Sequence, residues 1–198
     1  MLAGVEITTW HLDQQAASDI RAATPPATPM TLTRVELPSP ELNRYLYAGV
    51  GGDWFWLDRL SWSWQQWYDW LDRPGVETWL ATVRGTPIGY VELDGHREGE
   101  VELAYFGLLP AFVGQGFGGH LLTVALQRAW SLAERWPQLQ PVRRVWVHTC
   151  TLDGPAALKN YQARGMKLYR TETEEADLPA ESPGAWPGAN RPPRLGPA

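Results

Sequence analysis

The amino-acid sequence predicts an α+β fold in which helices flank a central mixed sheet. Three observations carry this: alternating strand patterns joined by tight turns in the first half, a change of hydrophobic period near residue 116, and a strand–helix–strand–helix–strand order through the second half. With 198 residues the chain has room for one domain with a substantial core. Its 44% hydrophobic and 20% charged residues are the balance of a folded polypeptide.

The elements follow in order. Residues 5–12 and 31–37 alternate as strands, with a Pro-rich connector at 24–29. Ser39-Pro40-Glu41 supplies an N-cap, a first-position proline and an early acid for a helix to about Val50, stopped by Gly51-Gly52. A second helix fits residues 63–71 and closes at Pro74-Gly75. Residues 77–83 and 88–93 flank the turn Arg84-Gly85-Thr86-Pro87 as a hairpin, and 101–109 make a further strand. From Gly116 to Trp136 apolar groups recur at Leu121, Leu122, Val124, Ala125, Ala129 and Leu132, the period of a long amphipathic helix ended by Pro137. Residues 142–149 read as a buried strand, 155–164 as a short helix capped by Gly165, and 166–173 as a last strand. Residues 1–30 are therefore an accessory strand with its connector, 31–175 the main domain, and 176–198 a disordered tail rich in Pro and Gly.

Composition narrows the function. A net charge of −5 with no Lys/Arg run argues against binding nucleic acid through its phosphates. The apolar stretches are broken well short of a bilayer span, and the first ten residues lack a basic n-region and an apolar h-region, so no membrane is expected and the cytoplasm is the default compartment. The single cysteine, Cys150, permits neither an internal disulfide nor a cysteine metal cluster, and no metal is expected. Twelve tryptophans, five of them between Trp54 and Trp67, build a core, line a pocket for an apolar or cationic ligand, or form a dimer face.

Gly114-Gln115-Gly116-Phe117-Gly118-Gly119 lies between a strand and the long helix, where glycines let backbone N–H groups and the helix dipole meet a phosphate. Gly114, Gly116 and Gly119 satisfy the dinucleotide pattern G-x-G-x-x-G, but the next strand ends in His148 and Thr149 instead of the ribose-binding carboxylate. No Gly-Lys-Ser/Thr follows, which excludes an ATP-type loop. Coenzyme A remains.

Over roughly residues 31–173 the chain resembles the GNAT superfamily of acetyl-CoA-dependent N-acetyltransferases. Leu108-Leu109-Pro110, Gly114-Gln115-Gly116-Phe117-Gly118 and Leu121-Leu122 resemble the family's strand, pyrophosphate loop and helix, with Val113 where Arg or Gln is usual. Downstream, Ala157-Leu158, Tyr161 and Gly165-Met166 resemble the helix beside the pantetheine arm, with Gly154 in place of the common Asn. The resemblance implies a central sheet of about six to seven strands, split at the coenzyme site between two parallel strands. It also implies acetyl transfer to a primary amine of a small molecule or peptide by direct attack in a ternary complex.

From the same resemblance, Gly107, Leu108 and Leu109 offer backbone groups to pantetheine and the thioester. Gly114, Gln115, Gly116, Phe117, Gly118, Gly119 and Ala157 hold the rest of acetyl-CoA. Tyr161 is the general acid at the sulfur and the Leu108 N–H the oxyanion donor. Amine acylation also needs a base. Glu102 leads, with Glu92, His148 or a water relay as alternatives; strict alternation would put Glu102, Ala104 and Phe106 on one face and Leu103 and Tyr105 on the other. The acceptor is expected among Asp53, Trp54, Trp56, Asp58, Arg59 and Trp62, where carboxylates beside tryptophans would suit an ammonium, with Glu92 and His148 nearby. Two other readings stand beside this one: a coenzyme-A-binding regulatory module without turnover, and a dinucleotide-dependent oxidoreductase, which would require a doubly wound parallel sheet.

Overall fold

The computed structural model describes residues 2–189, so residues 190–198 of the expected tail lie outside it. Its strands are β1 (Leu2–Gln14), β2 (Thr31–Val35), β3 (Val76–Val83), β4 (Thr86–Asp94), β5 (Glu100–Leu108), β6 (Arg144–Cys150) and β7 (Lys167–Pro179). Its helices are α1 (Pro40–Gly51), α2 (Trp64–Leu71), α3 (Phe117–Trp130), α4 (Leu132–Arg135) and α5 (Ala157–Ala163). The expected long helix is two, because the chain leaves helical geometry at Ser131, whose hydroxyl donates back to the Gln127 carbonyl.

The seven strands form one sheet in the order β2-β3-β4-β5-β6-β1-β7. Only β5 and β6 run parallel; every other neighbouring pair is antiparallel, which rules out the doubly wound sheet of a dinucleotide oxidoreductase. Val83 faces Thr86, leaving Arg84 (φ 50°) and Gly85 (φ 81°) as a two-residue turn whose left-handed backbone matches the twist of the strands it joins. Two expectations need correction. The first strand is not an accessory: β1 lies inside the sheet, between β6 and β7. Nor does the last strand stop at 173, since residues 176–179 pair with Leu2–Val5 because β1 extends far enough to receive them. Beyond it, Gly184 N–H donates to the Gly52 carbonyl at 3.1 Å.

One face of the sheet is covered by α3, whose Leu122, Ala125, Leu126 and Ala129 pack with Leu12, Leu93, Val101, Leu103, Val145 and Val147 in the main core. Each leucine so buried contributes about 1.5–3 kcal/mol. Val50 and Leu46 of α1 pack with Tyr90 on the other face. The tryptophans do more than fill space. Trp79 and Trp136 both donate Nε1–H to the buried Glu77, which also accepts from Arg135 Nε and Nη2, while Trp70 donates to the buried Glu92. A carboxylate removed from water requires such donors.

The register decides which side chains face which layer. Glu92 is opposite Tyr105 and Leu93 opposite Leu103, so Ala104 has no partner and forms a bulge. The extra residue breaks alternation. Leu103 and Phe106 then share the α3 face, while Glu102 and Tyr105 share the α1 face, contrary to the faces strict alternation assigns.

Candidate active site

Parallel pairing between β5 and β6 is confined to Glu100–Arg144, Val101–Val145 and Glu102–Trp146. Beyond that point the strands diverge, and a cavity of about 990 Å³ opens between them. Leu103–Leu108 line one wall, Val147, His148 and Cys150 the other. The bulge sits at the mouth of the divergence, where bending β5 away from β6 is what it does mechanically.

The free backbone of β5 follows from its ladder. Leu109 N–H donates to the Ile88 carbonyl at 2.8 Å, so alternation commits Gly107 to β4 as well and turns the N–H and C=O of Leu108 and Phe106 toward the gap. Leu108 thus keeps the expected position, whereas the amides of Gly107 and Leu109 are committed to β4. Gly107 serves the site by its lack of a side chain: a Cβ there would lie 2.4 Å from Val50 Cγ1.

After β5 the chain turns through Pro110–Phe112 into the glycine loop. Gly114 (φ 82°) and Gly116 (φ 84°) hold left-handed conformations, with Gly116 as the N-cap of α3. Val113, Gly114, Gly118 and Gly119 line the cavity, while Gln115, Gly116 and Phe117 do not. Phe117 is 4% exposed and packs with Ala81, Ile88 and Leu121, so it anchors the helix. Gln115 spans the loop, donating to the Ala111 carbonyl. Asn160 and Lys159 of α5 also line the cavity, and Asn160 reaches the Gly118 carbonyl at 3.4 Å. Both stand next to Tyr161 in the motif; no pattern in the sequence singles them out.

Ala157 and Tyr161 line the same cavity from α5. Tyr161 is 6% exposed, touches Phe106, and its hydroxyl has no hydrogen-bond partner among the described residues. Burial, with Asp153 nearby, pushes that phenol well above its ordinary range, so it stays protonated. Opposite, on the α1 face, His148 Nδ1 lies 3.3 Å from Glu102 Oε1, and this contact raises the imidazole's pKa against the opposing effect of burial. Asp153 and Asp58 add to the rise.

The expected acceptor residues divide. Trp54, Phe55, Trp56 and Asp58 line the cavity; Asp53 points to solvent and does not. Gly51 has no Cβ because Trp56 folds back on it with ring atoms 2.1 Å from where a Cβ would stand, and Phe55 takes a left-handed φ of 59° to make that return. Arg59 and Glu92 do not line the cavity. They form a buried ion pair at 2.7 Å, 5% and 1% exposed, with Arg59 between the rings of Trp62, Trp70 and Tyr105. Asn43 and Trp70 also donate to Glu92, so three donors occupy three of its roughly four acceptor sites, and its burial keeps it off the cavity wall. Asp58 instead accepts hydrogen bonds from Tyr47 and Tyr105, each 2.5 Å, a link the sequence does not announce because Tyr105 reaches that face only through the bulge.

A mixed sheet split between its two parallel strands, with a glycine loop entering a helix at the split, is a GNAT-like arrangement. The profile of the acetyltransferase (GNAT) family matches residues 40–166, well over half of the sequence, and the chain belongs to that family. Among solved structures it is similar to a GCN5-related N-acetyltransferase from Kribbella flavida, with 18% identity and a TM-score of 0.60 over 90% of this chain and 61% of that one. A GCN5-related N-acetyltransferase from Sphaerobacter thermophilus gives 15% identity and 0.61 over 89% and 53%. A tandem GNAT protein from the clavulanic acid biosynthesis pathway gives 16% and 0.53 over 89% and 55%. The chain thus spans between half and two thirds of the length of these structures. No curated protein matches it. No helix among the described residues is long and apolar enough to cross a membrane.

Proposed function

We propose that the chain is an N-acetyltransferase that takes acetyl groups from acetyl-CoA and delivers them to a primary amine in a ternary complex. The observation that carries this is the cavity at the end of β5–β6 pairing, with Tyr161 reaching it from the α3 side of the sheet and His148 from the α1 side. Donor and acceptor of protons are kept on opposite faces.

The fit to acetyl-CoA rests on three features: outward Leu108 and Phe106 amides, the left-handed glycine loop before α3, and an unpartnered buried phenol. Gly114, Gly118 and Gly119 would hold the pyrophosphate with the helix dipole behind them, and Lys159 and Asn160 would border it. Acetyl-CoA supplies a thioester whose carbon–sulfur bond breaks as the amine nitrogen bonds to the acetyl carbon. Leu108 N–H is the donor for the carbonyl oxygen. His148, with Nδ1 engaged by Glu102, uses Nε2 to take the proton from the attacking nitrogen, and Glu102 is a positioning residue. Tyr161 gives its proton to the sulfur and is reprotonated through solvent by the one His148 has taken. Glu102 thus passes the role of base to its partner.

The test is thiol release from acetyl-CoA across a panel of amines, amino acids and peptides, with calorimetric binding of acetyl-CoA and NADH alongside. Acetyl-CoA binding with amine-dependent thiol release is expected. Binding without release on any amine would identify a silent coenzyme module, and preference for NADH would overturn the assignment.

A further inference from the structure

The cavity has two ends of different chemistry. Toward the glycine loop it is bordered by backbone amides and Lys159; toward α1 it is walled by Trp54, Trp56 and Tyr105 and carries the carboxylates of Asp58 and Asp153. Trp56 and Tyr105 meet edge to face at 4.9 Å, and the Trp54 ring crosses to within 3.5 Å of where a Cβ of Gly154 would stand, so this end has aromatic walls while Asp58 itself stays exposed. The nearby cation, Arg59, is neutralised by Glu92. Asp58 is not.

Resting on the acetyl-transfer reading, we propose that the acceptor is an amine that keeps a second positive charge beyond its reacting nitrogen, such as a linear diamine. Its spare ammonium sits at Asp58 between Trp54, Trp56 and Tyr105. Three observations support this. The Tyr47 and Tyr105 hydroxyls each take one lone pair of Asp58, fixing the carboxylate while leaving acceptor sites open to a cation. Burial holds both phenols protonated, so they remain donors to that carboxylate. Aromatic faces around a carboxylate favour an ammonium through the ring quadrupoles, and would exclude an acidic or purely anionic acceptor. The Tyr161 hydroxyl, without a hydrogen-bond partner among the described residues, reaches the same cavity.

The experiment is a titration of intrinsic tryptophan fluorescence with 1,5-diaminopentane and with pentylamine, in the presence of coenzyme A. The wild type is compared with Asp58→Asn and Trp54→Leu. The expected result is diamine binding about tenfold or more tighter than monoamine, a preference that Asp58→Asn abolishes and Trp54→Leu reduces. Coenzyme A affinity serves as the check that each variant is folded; the Trp54 side chain makes no hydrogen bond among the described residues, so its variant reports even if Asp58→Asn does not fold. Equal affinity for the two amines in the wild type, or an undiminished preference in the folded variants, overturns the proposal. Because the readout is binding, it stands apart from thiol release: diamine preference without turnover sinks the transfer reading alone, and turnover of monoamines without diamine preference sinks this one alone.

Discussion

His148 Nδ1 and Glu102 Oε1 lie 3.3 Å apart on the two strands whose pairing ends at Glu102, so the last rung of the parallel ladder holds the imidazole at the mouth of the cavity. The carboxylate favours the protonated ring, and burial opposes it less strongly. A base must be neutral to act. The rate kcat/KM for the amine is therefore expected to rise with pH through the His148 pKa, which the Glu102 contact holds above that of an ordinary imidazole. Glu102→Gln removes the largest cause of the rise and should move this inflection to lower pH. An inflection that stays put in that variant would take the base role away from His148.

Tyr161→Phe should lower kcat by about 10²–10⁴-fold, the usual worth of a positioned proton donor, while leaving the dissociation constant for coenzyme A nearly unchanged. Since the phenol is held above its ordinary range, no alkaline loss of activity from its ionisation is expected below pH 10. Single-turnover thiol release on saturated enzyme separates the two constants.

The Arg59–Glu92 pair predicts a stability effect. Glu92→Leu leaves a buried guanidinium without its counter-ion and should destabilise the fold by about 3–5 kcal/mol, measured by denaturant unfolding. A stable Glu92→Leu protein with a selectively raised acceptor KM would return Glu92 to the substrate site.

At Gly116 a Cβ would meet nothing within 4 Å, so the only penalty for a side chain is the left-handed backbone at φ 84°. Gly116→Ala is expected to cost about 1–2 kcal/mol and to weaken coenzyme A binding by tilting the first turn of α3. Calorimetric titration of coenzyme A measures it; unchanged affinity would mean that the loop conformation does not matter to the ligand.

Much of this was legible in the residues themselves. The Pro40 start of α1, the Ser63–Gln66 capping box of α2 and the glycine stop before β7 are local, because caps and left-handed turns are satisfied by neighbours in sequence. The glycine loop and Tyr161 could be found for the same reason: spacing along one strand–helix unit places them. Arg59, Glu92 and Asp53 stand off the cavity wall, and composition near a cluster of tryptophans cannot distinguish a carboxylate in a pocket from one engaged by an ion pair or facing solvent.

The sequence by itself therefore determined most of the elements and the family, both of which rest on short-range geometry. Tertiary structure alone decided the rest. The unpaired Ala104 turned Tyr105 onto the face of Glu102, the early end of β5–β6 pairing brought His148 and Tyr161 to one cavity, and β1 entered the sheet from the far end of the chain. Register and strand order are set by which faces bury against α1 and α3, a long-range balance that no window of neighbouring residues contains.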